Sequence, residues 1–415
     1  MVSKTNTLAA LCIANMLTAC VDIEPSVRPF TVEVLAFTGN DPTTGAGNYA
    51  LRPVELPALL SVDPMYDSIF RFVEQPNIDL DALSKLADLD QVLTSVRSAA
   101  TYVPRLRDLD GTLVPRDLMS LQTVSAYAAF RTAADAIPEV TGLPRSAIIP
   151  ASGLQVWVKP VFTQGAATTR METNAFYLPY TDSFGLLDSS SLERRPIGAL
   201  GPVVTHEFGH HLFHRSFTQA DGVCDEDAPG GNYPGRFASD RGIAGINEGF
   251  ADWTAFVIAG ATNSLIDAFE PEVGNPGERA IDVRFAYATK FTYQTLARCT
   301  GDYYCVGTLF ARSLFEAFLA RSGEPSDRQQ RMAASRNVFA AMVAAPLHMR
   351  ERTWPRPDKA CAAELSTAVD DEVVSGFLGA FVAGLPASDR ASVCERFIAN
   401  FGDTGFKAEF RGACL

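Results

Sequence analysis

The sequence predicts an α+β fold. Up to about residue 200, segments alternating apolar and polar residues are mixed with segments whose apolar residues recur every three or four positions; beyond that, helical periodicity dominates. The chain has no internal repeat. With 415 residues, 47% of them apolar and 20% charged, it has a globular composition, can bury a large core and has room for two or three domains.

The elements follow in order. Phe30–Phe37 (FTVEVLAF) alternates as a strand, and residues 40–48 (NDPTTGAGN) are turn-rich. A helix is expected across residues 66–100, from the spacing of Leu80, Leu83, Leu86, Leu89 and Val92. Leu118–Ala136 reads as a long amphipathic helix ended by Pro138. Leu154–Phe162 reads as a strand, with Pro160 marking an edge or a strand end. Val203–Phe217 is helical, and residues 221–242 form a loop rich in Gly, Pro and Asp. Helices are expected at Glu248–Gly260 and Leu309–Arg321, then to the C-terminus with breaks at Pro346, Pro355, Pro357 and Pro386.

Composition excludes some functions. Thirty-five basic against 48 acidic residues leave a net charge of −13, which disfavours nucleic acid as a partner. No apolar run is long enough to span a bilayer; Val373–Leu385 and Ala255–Ile266 read as buried core helices.

The first nineteen residues read as a signal peptide: Lys4, an apolar stretch, then small side chains. Leu17-Thr18-Ala19-Cys20 resembles a bacterial lipobox, which implies cleavage before Cys20, acylation of its thiol and a membrane partner through that anchor. Ordinary signal cleavage with Cys20 incidental is the alternative. Val21 in place of Asp leans towards the outer membrane by analogy with enterobacterial sorting, and residues 20–29 form a tether. Six of the eight cysteines then remain, an even number that points to disulfides in an exported chain. Fifteen connectivities are open to them; Cys299 with Cys305 and Cys394 with Cys414 are the most local pairs. The absence of a C-x-x-C pair argues against a cysteine zinc site.

The chemistry is concentrated in one helix. Four of the five histidines fall within nine positions, and His206-Glu207-Phe208-Gly209-His210 is an H-E-x-x-H motif. Four helical residues turn about 400°, so His206 and His210 share a face and can share one zinc ion. Glu207 is placed to act as general base towards a water molecule. A metzincin-type third histidine is excluded, because Phe213 and Ser216 occupy the positions its pattern needs. Glu248, in Asn247-Glu248-Gly249-Phe250-Ala251-Asp252, is the expected third ligand, and Asp252 one turn on can accept a ring N–H from a liganding histidine. A helix-start acid near the positive dipole end is the plain alternative for Glu248. His211 faces away and reads as structural; Gly209 implies tight packing. Asp221, Asp225, Glu226 and Asp227 cluster in the long loop, where Ca²⁺ is the alternative to a solvated acidic loop.

With H-E-x-x-H and N-E-x-x-x-D in place, the chain resembles the gluzincins, and among them the thermolysin-like and fungalysin-like metallopeptidases. The 38 positions from His210 to Glu248 exceed the usual thermolysin gap, the excess being the loop. The resemblance implies a two-lobed zincin, an upstream sheet-and-helix lobe and a mainly helical lobe from about residue 245, with the active-site cleft between them. It implies zinc on His206, His210 and Glu248, and residues 116–415 as the peptidase domain; residues 30–115 match no motif. Asn174-Ala175-Phe176-Tyr177 is similar to the family's N-A-F-W/Y edge strand, implying that Asn174 and Ala175 contact a polypeptide substrate. Asp302–Ala311 is similar to the fungalysin-like D-P-H-x-x-G-x-V-W-A, with Tyr304 where that family has its oxyanion-stabilising histidine and Tyr303 an adjacent rival. Arg284-Phe285-Ala286-Tyr287 is similar to R-x-Y-x-Y, implying that Arg284 contacts a substrate carbonyl. The expected function is peptide-bond hydrolysis by an exported, lipid-anchored zinc endopeptidase. The alternative is an inactive or latent zincin-fold lipoprotein that binds or scaffolds. No G-x-S-x-G supports a serine hydrolase.

Overall fold

A computed structural model describes residues 29–42, 45–83, 94, 96, 98–169, 171–172, 174–179, 181–189, 195–219, 241–263, 280–282, 284, 303–323, 327–351, 371–401 and 408–414. The signal segment, Cys20 and the tether up to residue 28, the acidic loop 221–240 with its calcium candidates, and Cys224, Cys299 and Cys361 lie outside the described residues.

The fold is α+β: sheets occupy the N-terminal part and the C-terminal part is helical. Strands β1 (Phe30–Asn40) and β2 (Gly47–Leu56) pair as a hairpin through the expected turn. Val32 and Val34, two residues apart, point to the same face and are buried. β1 also pairs in parallel with β8 (Thr112–Pro115), which pairs with β7 (Leu106–Leu109), giving the order β2-β1-β8-β7.

The second sheet has six strands. Its order is β12 (Ala175–Leu178), β13 (Ser183–Leu186), β9 (Leu154–Val158), β5 (Phe70–Glu74), β4 (Met65–Asp67), β3 (Leu59–Val62). Central β9 is parallel to both neighbours and packed on both faces. Val156 faces the main core with Phe70, Phe72 and Phe184; Trp157 faces a smaller core with Val73, Ile78 and Phe162. Two-sided burial explains the nearly unbroken apolar run of β9. A third sheet joins β6 (Asn77–Asp79), β10 (Val161–Gln164) and β11 (Ala167–Thr169).

Three expectations are corrected here. The helix expected over 66–100 gives way to β4, β5 and β6 up to Asp79; α1 (Leu80–Leu83) is helical where the leucine spacing begins, as are Thr94, Val96 and Ser98, and residues 84–93, 95 and 97 lie outside the described residues. The aromatic and β-branched side chains upstream suit a strand, and β9 supplies β5 with its hydrogen bonds. The 154–162 strand divides at Lys159–Pro160 into β9 and β10, so the proline does mark a strand end. Helix α2 (Leu118–Thr141) runs through Pro138 and ends at Gly142, whose φ of 73° caps it. Proline cannot donate to Ala134 O four residues back, and Arg145, from the short helix α3 (Arg145–Ile148), donates its Nε to that carbonyl at 3.3 Å.

α2 lies on the six-stranded sheet. Phe130 sits with its ring 5.5 Å from Phe70 and 4.4 Å from Phe184. Buried Asp67 of β4 accepts Tyr127 OH at 2.8 Å and Arg131 Nη1 at 3.1 Å. Burial, then the adjacent Asp67 carboxylate, pushes the Tyr127 hydroxyl well above the usual tyrosine range, so it stays a donor.

The helical part comprises α4 (Gly201–Gln219), α5 (Arg241–Ala259), α6 (Tyr303–Ser322), α7 (Arg328–Glu351), α8 (Asp371–Gly384), α9 (Ala387–Phe401) and α10 (Ala408–Cys414). α5 starts seven residues before Glu248, so Glu248 is mid-helix and not a helix-start acid. α7 continues through Pro346, against expectation, whereas Pro386 does separate α8 from α9. Among the described residues no helix is long and apolar enough to cross a membrane. Cys394 and Cys414 form the expected disulfide, tying α10 to α9. Cys305 is also disulfide-bonded. One continuous core runs from Val32 through Phe72, Phe208 and Phe250 to Phe410, so residues 30–115, unassigned by any motif, are integral to it.

Two helix crossings are set by glycine. A Cβ on Gly209 of α4 would lie 2.6 Å from Ala251 Cα of α5. One on Gly245 would lie 2.6 Å from Tyr303 O, and one on Gly249 would fall inside the Gly307 carbonyl of α6. In a helix Gly→Ala normally stabilises, by about 1 kcal/mol. Here Gly249→Ala is expected to destabilise by about 2 kcal/mol, since backbone meets backbone. Gly412→Ala in α10, with open space around it, is expected not to destabilise. Denaturant unfolding of both variants measures the contrast.

Candidate metal centre

α4 is buried on nearly every side, between the sheet, where Phe208 stacks on Phe184 at 6.2 Å, and α5. Polar side chains on such a helix are costly unless partnered. His206 and His210 stand one turn apart with ring centroids 4.6 Å apart. Glu248 Oε2 lies 3.4 Å from His206 Nε2 and 3.8 Å from His210 Nε2. This is a group that could hold a metal ion, its three ligand atoms lying within 4.8 Å of one another. Two atoms each bonded at about 2.1 Å to one tetrahedral ion are about 3.4 Å apart. The donor set therefore fits a divalent ion of the imidazole-binding kind.

The far ring nitrogens have their own neighbours. His210 Nδ1 lies 3.0 Å from Asn247 Oδ1, a hydrogen bond that directs Nε2 towards Glu248. His206 Nδ1 is 2.9 Å from Asp252 Oδ1, a hydrogen-bond distance with an alignment short of ideal. Asn247 was not singled out by the sequence reading, although it immediately precedes the expected ligand. Glu207, 8% exposed, sits between the two histidines in sequence. Glu248 and Asp252 thus bring two largely buried carboxylates to the histidines, and a bound dication suits such a group.

The opposite face of α4 holds a second polar group that no motif flagged. Asp182, at φ 50° in the β12–β13 turn, accepts Tyr177 OH at 2.8 Å and binds His211 Nδ1 at 2.7 Å and Arg215 Nη2. Burial by itself would raise the Asp182 pKa, but His211, then Arg215 and the Tyr177 hydroxyl, hold it well below the carboxylate range. His211 is thus the structural hydrogen-bonder expected. His214 rests against the Tyr177 ring at 5.7 Å, and burial pulls its pKa down to about 3, so it is neutral. Together these contacts fix the edge of the sheet to the helix carrying His206 and His210.

The other sequence candidates are dispersed. β12 is an edge strand beside α4; Asn174 is exposed, with its carbonyl accepting from Leu187 N, and Ala175 is buried. Tyr304 is 40% exposed in the first turn of α6, its ring 4.2 Å from that of Tyr303. That turn crosses α5 at Gly245, three residues before Glu248. Arg284 is elsewhere. Its Nη2 and Nε grip Asp282 at 2.7 and 2.9 Å, beside the C-terminal end of α5, about 16 Å of helix rise beyond Glu248. Of the Arg284–Tyr287 stretch only Arg284 is described, and Cys20 lies outside the described residues. No protein-family model matches the chain, and no curated protein is significantly similar to it.

Asn247→Ala and Asp252→Ala are each expected to weaken metal binding about 10–100-fold while leaving helix content unchanged. Competition against a chromophoric chelator, with circular dichroism as control, measures this. Acid stability has a signature too. The folded His214 pKa is depressed, so its contribution is full above the unfolded value of 6.5 and is lost as pH falls towards about 3. In metal-free protein, His214→Phe is expected to flatten the loss of stability across that window, read by denaturant midpoints at stepped pH.

Proposed function

We propose that the protein is a zinc metallopeptidase of gluzincin type that cleaves internal peptide bonds, exported and anchored through a lipid on Cys20. One observation carries the reading: His206 and His210 converge on Glu248 of the next helix, and the acid Glu207 follows His206 in the sequence. Two imidazoles and a carboxylate favour zinc over calcium or magnesium, which prefer oxygen ligands alone. The lipobox-like Leu17–Cys20 supports export and acylation.

His206, His210 and Glu248 would hold the zinc, with Asn247 and Asp252 keeping the rings oriented. Bound there, zinc would supply a Lewis acid that polarises the scissile carbonyl and makes water a better nucleophile. Glu207 takes the proton from the attacking water and returns it to the leaving amine. Tyr304, as a neutral phenol, donates to the developing oxyanion. The edge strand β12, with Asn174 and Ala175 at its start, takes an extended polypeptide by strand addition, so backbone hydrogen bonds hold the substrate whatever its sequence. Arg284 has no part in this reading, because its guanidinium is committed to Asp282 near the other end of α5.

The test compares the parent with Glu207→Gln for zinc content and cleavage of a quenched peptide. One zinc in each, with cleavage at least a hundredfold lower in the variant, is expected. Equal cleavage by both would remove Glu207 as base. Zinc in both without cleavage in either would favour a binding or scaffold module, which has no need of an acid between the two histidines. Absence of zinc from folded protein never exposed to chelator would sink the reading.

A further inference from the structure

The carboxylate of Asp182 faces three donors at once: Oδ1 takes Tyr177 OH at 2.8 Å and the His211 Nδ1 proton at 2.7 Å, and Oδ2 takes Arg215 Nη2. The donors come from two elements. Tyr177 belongs to β12, whereas His211 and Arg215 stand one turn apart on α4. His211 directly follows His210, so the clamp closes on the stretch of helix that carries the candidate ligands. Asp182 itself lies in the β12–β13 turn at φ 50°, a conformation that aspartate tolerates better than most residues. The Tyr177 ring completes the joint, 5.7 Å from the rings of both His211 and His214.

The strand needs such a joint. Among the described residues β12 is the edge of its sheet, only four residues long, with β13 as its one partner strand. Asn174 O accepts from Leu187 N, so Asn174 turns its backbone towards β13. Antiparallel pairing alternates, and the next residue, Ala175, therefore turns its N–H and C=O away from β13, towards the outer edge. A short edge strand held from one side opens easily, and a peptide that pairs with it must first order it. The clamp removes that cost by fixing the far end of the strand to α4. We infer that Asp182 is a positioning residue of the proposed peptidase: it holds β12 at one offset from His206 and His210, so that a polypeptide pairing with the edge at Ala175 meets the metal group in one register. This inference rests on the peptidase reading and adds to it a residue that touches neither metal nor substrate.

Asp182→Asn and Tyr177→Phe, made in the full chain, test it. Asparagine suits a positive φ, but its single carbonyl oxygen cannot serve every donor that the carboxylate serves, and its own N–H groups oppose one of them. Phenylalanine keeps the ring packing and removes only the hydroxyl. For a quenched decapeptide that the parent cleaves, KM is expected to rise about tenfold in Asp182→Asn and about threefold in Tyr177→Phe, with kcat changed by less than about twofold. The affinity of the same decapeptide for each variant combined with Glu207→Gln, read by calorimetry, is expected to fall by the same factors. Zinc content and inhibition by acetohydroxamate, a probe too small to reach along β12, are expected to stay at the parent's values. Unchanged KM and affinity in both variants of an active parent overturn the positioning role and leave the peptidase reading in place. Loss of zinc or of acetohydroxamate inhibition in step with the peptide also overturns it, because the clamp would then serve only to hold the helix. A zinc-loaded parent that cleaves no peptide overturns the peptidase reading, and this role with it.

Discussion

The arrangement depends on how closely α5 approaches its two neighbours. Side chains normally keep helix axes 8–10 Å apart. Glycine at Gly209, Gly245, Gly249 and Gly307 removes that spacing, and backbone packs on backbone on both sides of α5. Glu248 lies between the two crossings. Its Cβ is already in contact with the Gly307 position, and its carboxylate reaches across to the Nε2 atoms of His206 and His210. A helix one methyl group further away would hold the same residues without bringing them together. The crossings also set the start of α6, where Tyr303 and Tyr304 lie, against the same end of α5.

Electrostatics divides α4 into two faces. One holds the two histidines beside the carboxylates of Glu248 and Asp252, buried negative charge that suits a cation. The other neutralises itself: Asp182 is matched by His211 and Arg215, and His214 stays uncharged. The self-contained face is rigid and anchors the β12–β13 turn. The anchored strand β12 lies beside the same helix.

Several features were legible because they are local. The period between His206 and His210 is a property of any helix, and the acid pair Glu248 and Asp252 repeats it one helix later. The turn between β1 and β2, the structural role of His211 and the pairing of Cys394 with Cys414 also followed from nearby residues. Others were not. Pro138 reads as a stop, and the helix survives it because Arg145, from the next element, takes the carbonyl that proline leaves bare. The segment from Tyr66 to Asp79 reads as helix from the leucines after it, and becomes strand because β9, some eighty residues on, offers β5 a parallel partner. Asp182 belongs to no motif; its importance arises from a turn and a helix meeting in space.

The fold class and the two halves of the candidate metal group are readable from local order alone, since helical period and residue chemistry fix which side chains share a face. That the halves meet, that Asn247 stands behind His210 and that Arg284 sits with Asp282 near the far end of α5 depends on how the helices pack. The physical reason is the same in each case. Hydrogen bonding along one helix sets directions, but the distance between two helices depends on the side chains, here glycines, at their crossing, and no spacing along the chain encodes which crossing will form.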